Sequence, residues 1–174
     1  MSKNAYATRE ITMPFGRVIP LADDTSEWNM RVWPVNYPVQ GSSSDIVSRA
    51  VCMINRVLRK DLDAIRTVDR WADRDQNADL QQALRTIRDR SSMWSHVILS
   101  IHDSIVSDVA PNELDTVLSL KQGIMESRCD YPWLICPLKA DTSFGPDWGV
   151  QKSLEEKFIQ QGARLDRAGN AVTE

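Results

Sequence analysis

One stretch, Ser95 to Val109, constrains the fold more than any other. It reads SHVILSIHDSIVSDV and holds both histidines of the chain, His96 and His102. Val97 to Ile101 is apolar apart from Ser100, the polar pair His102–Asp103 follows, and Ile105-Val106 resumes the apolar run. β-Branched and apolar residues on both sides of a short polar break predict two strands of a hairpin, with His102 and Asp103 at or near the tip. A carboxylate fixed at the end of a buried strand pair is well placed to hold a metal ion. Aspartates also occupy turns for purely local reasons, because their side chains bond nearby backbone. Taken alone, the stretch leaves both readings open.

The segments around it supply helices. Gln40 to Asp45, QGSSSD, offers a turn glycine and several N-cap serines. From about Ser43 to about Lys60, the residues Ile46, Val47, Ala50, Val51, Ile54, Val57 and Leu58 keep a helical period. Upstream, Pro34 and Pro38 argue against a regular helix through Trp28 to Val39. Arg9 to Leu21 reads as a hairpin turning near Phe15-Gly16, and residues 1–8 as a flexible end. Asp61 to Arg90 is strongly charged. Within it, Leu80, Ala83, Leu84 and Ile87 predict a helix near Ala78 to Arg90, and Asp73 to Gln76 a surface loop. Pro111-Asn112 opens another helix, with Asn112 as its cap and Glu113 and Asp115 as early acids. Tyr131 to Ala140 reads as a strand flanked by prolines, hence near an edge. Ser143 to Gly149 reads as a turn. Ser153-Leu154-Glu155-Glu156 has a capping-box pattern, predicting a short helix to about Gln161 ahead of a loose tail. The sum is an α+β domain: a small antiparallel sheet carrying the central hairpin, packed against helices. The expected organisation is a flexible N-terminus over residues 1–8, one domain over 9–150, and a C-terminal helix and tail over 151–174.

Several function classes drop out. No apolar run approaches the roughly 20 residues needed to span a bilayer. The three cysteines, Cys52, Cys129 and Cys136, are odd in number and fit no zinc spacing, which points to structural thiols in a reducing cytoplasm. There is no glycine-rich phosphate loop and no nucleophile elbow. The net charge is −3, whereas a free-standing nucleic-acid binder is usually basic. Any nucleic-acid role must therefore use local patches or borrow positive charge from a partner.

Four motifs in order carry a resemblance: FGR, NYPVQGSSSDIVSRA, VILSIHDSIVSDV and CPLKADTSFGPDWG. Together they resemble the C-terminal part of family A DNA polymerases. That family reads roughly G-R-R, then N-A-P-x-Q-G-T-A-A-D-x-x-x-x-A, then an apolar run with V-H-D-E, then V-P-L and G-x-N-W. Gly16-Arg17 stands for the first; Asn36, Pro38, Gln40, Gly41, Asp45 and Ala50 match the second. His102-Asp103 matches the third, motif C, and Pro137-Leu138 with Gly145, Asp147 and Trp148 echo the fourth. The likeness spans about Arg9 to Val150.

The resemblance implies a palm-like fold and a role for each matched residue. Asp103 would be one of two carboxylates holding catalytic Mg²⁺, and His102 would lie beside the primer terminus. Asn36 and Gln40 would touch the duplex minor groove, where amides can meet the acceptors found at every base pair. Arg17 would contact the nucleic-acid backbone, against a bland reading as a solvated surface charge.

Three departures shape the expectation. The family's other metal-binding aspartate lies in an upstream motif A, which has no counterpart here. The fingers helix that grips the incoming nucleotide is absent too. Ser104 stands where the family has glutamate, as it does in the single-subunit phage RNA polymerases that this chain also resembles. The chain is thus expected to be the C-terminal palm subunit or fragment of a split DNA-directed DNA polymerase, of the sort a bacteriophage would encode for the cytoplasm of its bacterial host. A second subunit would bring motif A, the fingers and most of the positive charge; primer-template DNA and dNTP would be its ligands. Trp28 and Trp33 would suit docking on that partner, or ordinary core. The alternative is a catalytically inactive, polymerase-derived binding or structural protein.

Overall fold

The computed structural model describes residues 2–127, 131, 134–147, 151–153, 164–165 and 171–172. The chain divides into two compact units, Met1–Leu138 and Lys139–Glu174.

In the first unit, helix α1 (Ser2–Thr8) leads into strands β1 (Glu10–Thr12) and β2 (Val18–Pro20), which pair antiparallel. The expected loose N-terminus is therefore helical, and Ala5 is buried. The predicted hairpin is present, with Met13 and Arg17 bonded across a turn at Phe15-Gly16.

Helix α2 (Glu27–Leu58) is 32 residues long and is the spine of the unit. At about 1.5 Å per residue it spans roughly 48 Å. Ser26 caps it, its Oγ accepting from the Asn29 amide at 3.2 Å. The sequence argued for a helix from about Ser43 only; α2 instead runs through both Pro34 and Pro38. Burial explains the difference. The first half of α2 lies on a small cluster of Ala5, Ile11, Met13, Leu21 and Met30, flanked by Ile19, Trp33 and Tyr37. Trp33 and Tyr37, one turn apart, stack with centroids 5.4 Å apart. A proline inside a helix costs about 3 kcal/mol, while each large apolar side chain buried contributes about 1.5–3 kcal/mol. The four large side chains of that cluster outweigh the two prolines. Ser42, one turn after Pro38, also donates its hydroxyl to the Pro38 carbonyl.

The second half of α2 packs into the main core with α3 (Leu62–Arg74), α4 (Ala78–Asp89), α5 (Leu114–Glu126) and the hairpin of β3 (His96–Ile101) and β4 (Ser104–Asp108). Helix α3 was hidden by its charges. Yet Ala64, Ile65, Val68, Trp71 and Ala72 are buried at helical spacing, and the Asp61 carboxylate caps it, accepting from the amides of Asp63 and Ala64. Helix α4 begins where predicted, capped by Asn77. Helix α5 follows a 3-10 turn, Pro111–Glu113, and is not capped by Asn112. Gly123 is buried inside α5 because Leu80 of α4 occupies the space a side chain would need.

Tyr131 and the described residues 134–140 form no strand, contrary to expectation. Tyr131 is instead buried edge-on against Phe15, ring centroids 5.4 Å apart, with the Arg49 guanidinium 5.8 Å from its ring.

In the second unit, β5 (Ser143–Phe144) pairs with β6 (Lys152–Ser153), and β7 (Arg164–Leu165) with β8 (Ala171–Val172), both antiparallel. Trp148 and most of the predicted tail helix lie outside the described residues. No helix among the described residues is long and apolar enough to cross a membrane.

Candidate functional site

The central hairpin forms as its sequence dictates. Ser100 pairs with Ile105 and Ile101 with Ser104, which leaves His102 and Asp103 as the two central residues of the turn. His102 has φ of 51°, in the left-handed region. For a residue with a side chain this costs about 1–2 kcal/mol, and the closing strand pair imposes it. Both side chains are exposed, and neither makes a hydrogen bond or ion pair among the described residues. A turn aspartate of the local kind would bond its own backbone; Asp103 does not.

One side of the ribbon faces the core. Ile105 is buried, Val97 packs against the core, and Lys121 of α5 donates Nζ to the Ile105 carbonyl at 2.8 Å. Burial holds the Lys121 ammonium below the usual lysine pKa. The other side carries Ile98, Leu99 and Ile101, which are 61%, 44% and 39% exposed. The register shifts between Val97 and Leu99, a bulge that bends the ribbon there.

The base of the hairpin is closed by one carboxylate. Glu113 is fully buried and accepts from the Trp94 amide at 3.1 Å, the Ser95 amide at 2.9 Å, the Ser95 hydroxyl at 2.5 Å and the Arg90 guanidinium at 3.3 Å. Ser95 Oγ in turn accepts from the Ala110 amide at 3.1 Å. Burial alone would raise the Glu113 pKa; the bonds from Ser95 and Trp94, with the Arg90 charge, outweigh it and hold the pKa below the usual glutamate value. Sequence reading took Glu113 as an early helical acid. Its side chain serves the strands instead, and no local pattern announces that.

Asn36 and Gln40, four residues apart on α2, share one helix face and are exposed. Their side chains are also free of hydrogen bonds among the described residues. Arg17 does not stand free. Its guanidinium pairs with Asp45 of α2 at 3.1 Å and lies 3.1 Å from where a Cβ on Gly41 would sit. That Cβ would overlap Met13 Cε, so only glycine lets the β1–β2 turn lie this close to the helix. The structure thus joins Arg17, Gly41 and Asp45 into one patch, one turn beyond Gln40. No hydrogen bond or ion pair among the described residues ties this patch to the hairpin tip. Trp28 is 72% exposed, whereas Trp33 is partly buried.

A metal site needs several oxygen ligands. Among the described residues no three or more histidine, cysteine, aspartate or glutamate side chains gather into a metal-binding group. Asp103 offers a carboxylate from one side only.

The chain is 24% identical over 120 residues to DNA polymerase I of Chloroflexus aurantiacus. That alignment takes in 69% of this chain and 9% of the relative, so the chain spans about a tenth of the curated relative it matches. No solved structure matches it. The family match covers residues 2–150, which hold α1 to α5, the hairpin tip and the α2 amides. The chain belongs to DNA polymerase family A.

Proposed function

We propose that this chain is the C-terminal palm subunit or fragment of a DNA-directed DNA polymerase, with residues 9–150 as the palm part and 151–174 as an appended helix and tail. The observation that carries the reading is the His102–Asp103 turn: an exposed carboxylate, without a partner among the described residues, on a two-residue turn in a chain of this family. Asp103 would hold Mg²⁺ together with a carboxylate from a second chain. The metal, when bound, would stabilise the negative charge that develops during nucleotidyl transfer. His102 would face the primer terminus. Asn36 and Gln40 would meet purine N3 and pyrimidine O2 acceptors in the minor groove, testing pair geometry without reading sequence. Arg17 would reach a phosphate by exchanging its Asp45 partner. The partner would carry motif A, the fingers and the positive charge that a chain of net charge −3 lacks. We place the assembly in the cytoplasm of a bacterial host, as part of a phage replication system.

The test is purification of the tagged full chain from its native host, with mass spectrometry of co-purifying chains and Mg²⁺-dependent primer extension. A partner bearing an acidic motif A is expected. Asp103→Ala should abolish extension and leave the assembly intact. Extension at the wild-type rate would refute the metal-binding role. Ser104, in the place of the family glutamate, favours a second reading, an inactive polymerase-derived binding protein. It would gain from an assembly that forms, binds primer-template and never extends it.

A further inference from the structure

We infer that Glu113 and Ser95 form a clasp that aims Asp103, so that Glu113 is a positioning residue for nucleotidyl transfer. The inference rests on the polymerase reading above, but its geometric half does not.

The clasp ties both ends of the ribbon to one point. Trp94 and Ser95 lead into β3, Ala110 follows β4, and all three are wired to the buried Glu113 carboxylate, Ala110 through the Ser95 hydroxyl. Arg90 anchors the same node, bonding Glu113 and the Asn112 carbonyl at 2.7 Å. Glu113 is the residue before α5, so the node rides on the helix that also supports β4 through Lys121. Toward the tip the last hold among the described residues is Ile105, buried in the core and bonded by Lys121, two residues short of Asp103. β3 has six residues, which at about 3.3 Å each puts the tip roughly 20 Å from the base. A tilt of about 5° at the base that carries Ile105 with it would then move the Asp103 carboxylate by nearly 2 Å, by the same strand geometry. Misplacement of a reacting group by about 1 Å can cost 10²-fold in rate. The clasp therefore controls, at a distance, the one coordinate that a metal-holding carboxylate must keep.

Glu113→Gln is the informative change, because size is kept. Every group facing the carboxylate is a donor, so the new amide NH₂ must oppose one of them. Ser95 Oγ can accept from that NH₂ alongside the Ala110 amide, but only by turning its own proton away from residue 113, which breaks the shortest bond of the clasp. Ser95→Ala should act in the same direction, more weakly: it removes the hydroxyl's bonds to Glu113 and Ala110 but leaves the Trp94 and Ser95 amides on the carboxylate. Gly123→Ala serves as the comparison variant, since it lowers stability without touching the clasp.

The experiment has two readouts on the full chain. Backbone residual dipolar couplings report the orientation of residues 96–108 against α2 to α5. In Glu113→Gln the ribbon couplings should change while those of the helices still fit one frame. Couplings superimposable on the wild type would overturn the clasp. In the polymerase assembly, Glu113→Gln should slow single-turnover extension by at least about tenfold, with KM for dNTP within about twofold. A rate no lower than that of Gly123→Ala would overturn the aiming role, even if the ribbon had moved. If the wild-type assembly does not extend primers, it is the polymerase reading that fails, and the couplings still decide the clasp.

Discussion

Gly123 of α5 lies against Leu80 of α4 so closely that a Cβ on the glycine would come within 2.9 Å of the Leu80 Cβ. Leu80 is 1% exposed and has nowhere to go. Gly123→Ala sets two effects against each other. Alanine gains about 1 kcal/mol of helix propensity. Overpacking a filled core costs typically about 1–3 kcal/mol. The contact involves the Cβ as well as both Leu80 methyls, so the second effect wins. The variant should be less stable by about 1 kcal/mol, seen as a lower urea midpoint at unchanged slope. A raised midpoint would mean that α4 and α5 separate freely.

Gln40→Ala and Asn36→Ala should leave stability within about 0.5 kcal/mol, because both side chains are exposed and unbonded among the described residues. On the polymerase reading each removes a minor-groove contact at the primer terminus. Loss of one such bond, about 1–2 kcal/mol in a desolvated setting, predicts extension slower by about fivefold to thirtyfold. Thermal unfolding and extension rates on the same preparations check both halves. A loss of stability without a loss of rate would mark the amides as structural.

Arg17→Ala tests an ion pair that is half in water, with side chains 51% and 22% exposed. Such pairs are worth about 0.2–1 kcal/mol, so unfolding should barely shift. If Arg17 exchanges Asp45 for a phosphate, the variant should bind primer-template more weakly for every sequence, with a shallower dependence on salt. Filter binding at two salt concentrations measures it; an unchanged slope removes Arg17 from the interface.

Glu113 predicts the acid limb of stability. Its pKa is lowered on folding, so the unfolded chain binds the proton more readily. The contribution of the clasp is complete above the unfolded value of about 4.3 and is lost as pH falls through the lowered folded value. Glu113→Gln should therefore be less stable than the wild type at pH 7, with the gap narrowing as the pH drops below about 4. Unfolding midpoints across that range check the sign, and a constant gap would contradict it.

The parts of the fold governed by local pattern were legible in the sequence. The two hairpins, the turn at His102–Asp103 and the start of α4 all follow from alternation, turn residues and caps. The helix through Pro34 and Pro38 was not, because its stability comes from Met13, Leu21 and Met30 meeting from three separate segments. Helix α3 escaped for another reason: its charged face dominated a stretch whose five buried residues keep a clean helical period. At the site, the motif residues could be named in advance, but their partners could not. The pairing of Arg17 with Asp45 and of Ser95 with Glu113 spans 28 and 18 residues of chain. Contacts at such separations belong to the fold, and no window of sequence contains them.

Helix α2 takes part in two cores of unequal size. Among the described residues, its first half rests on a cluster of five buried residues and its second on one of nineteen. Elements with so little apolar contact open locally well before the rest of a domain. The chain is therefore built to come apart in two stages, with α1, the first hairpin and the proline-bearing half of α2 exchanging their amides ahead of α3 to α5. Asn36 and Gln40 ride on the part that opens first, and Asp103 on the part that opens last. On the polymerase reading, mild heat or denaturant would loosen the hold on a duplex while the carboxylate stays in place, so that grip and chemistry would melt separately.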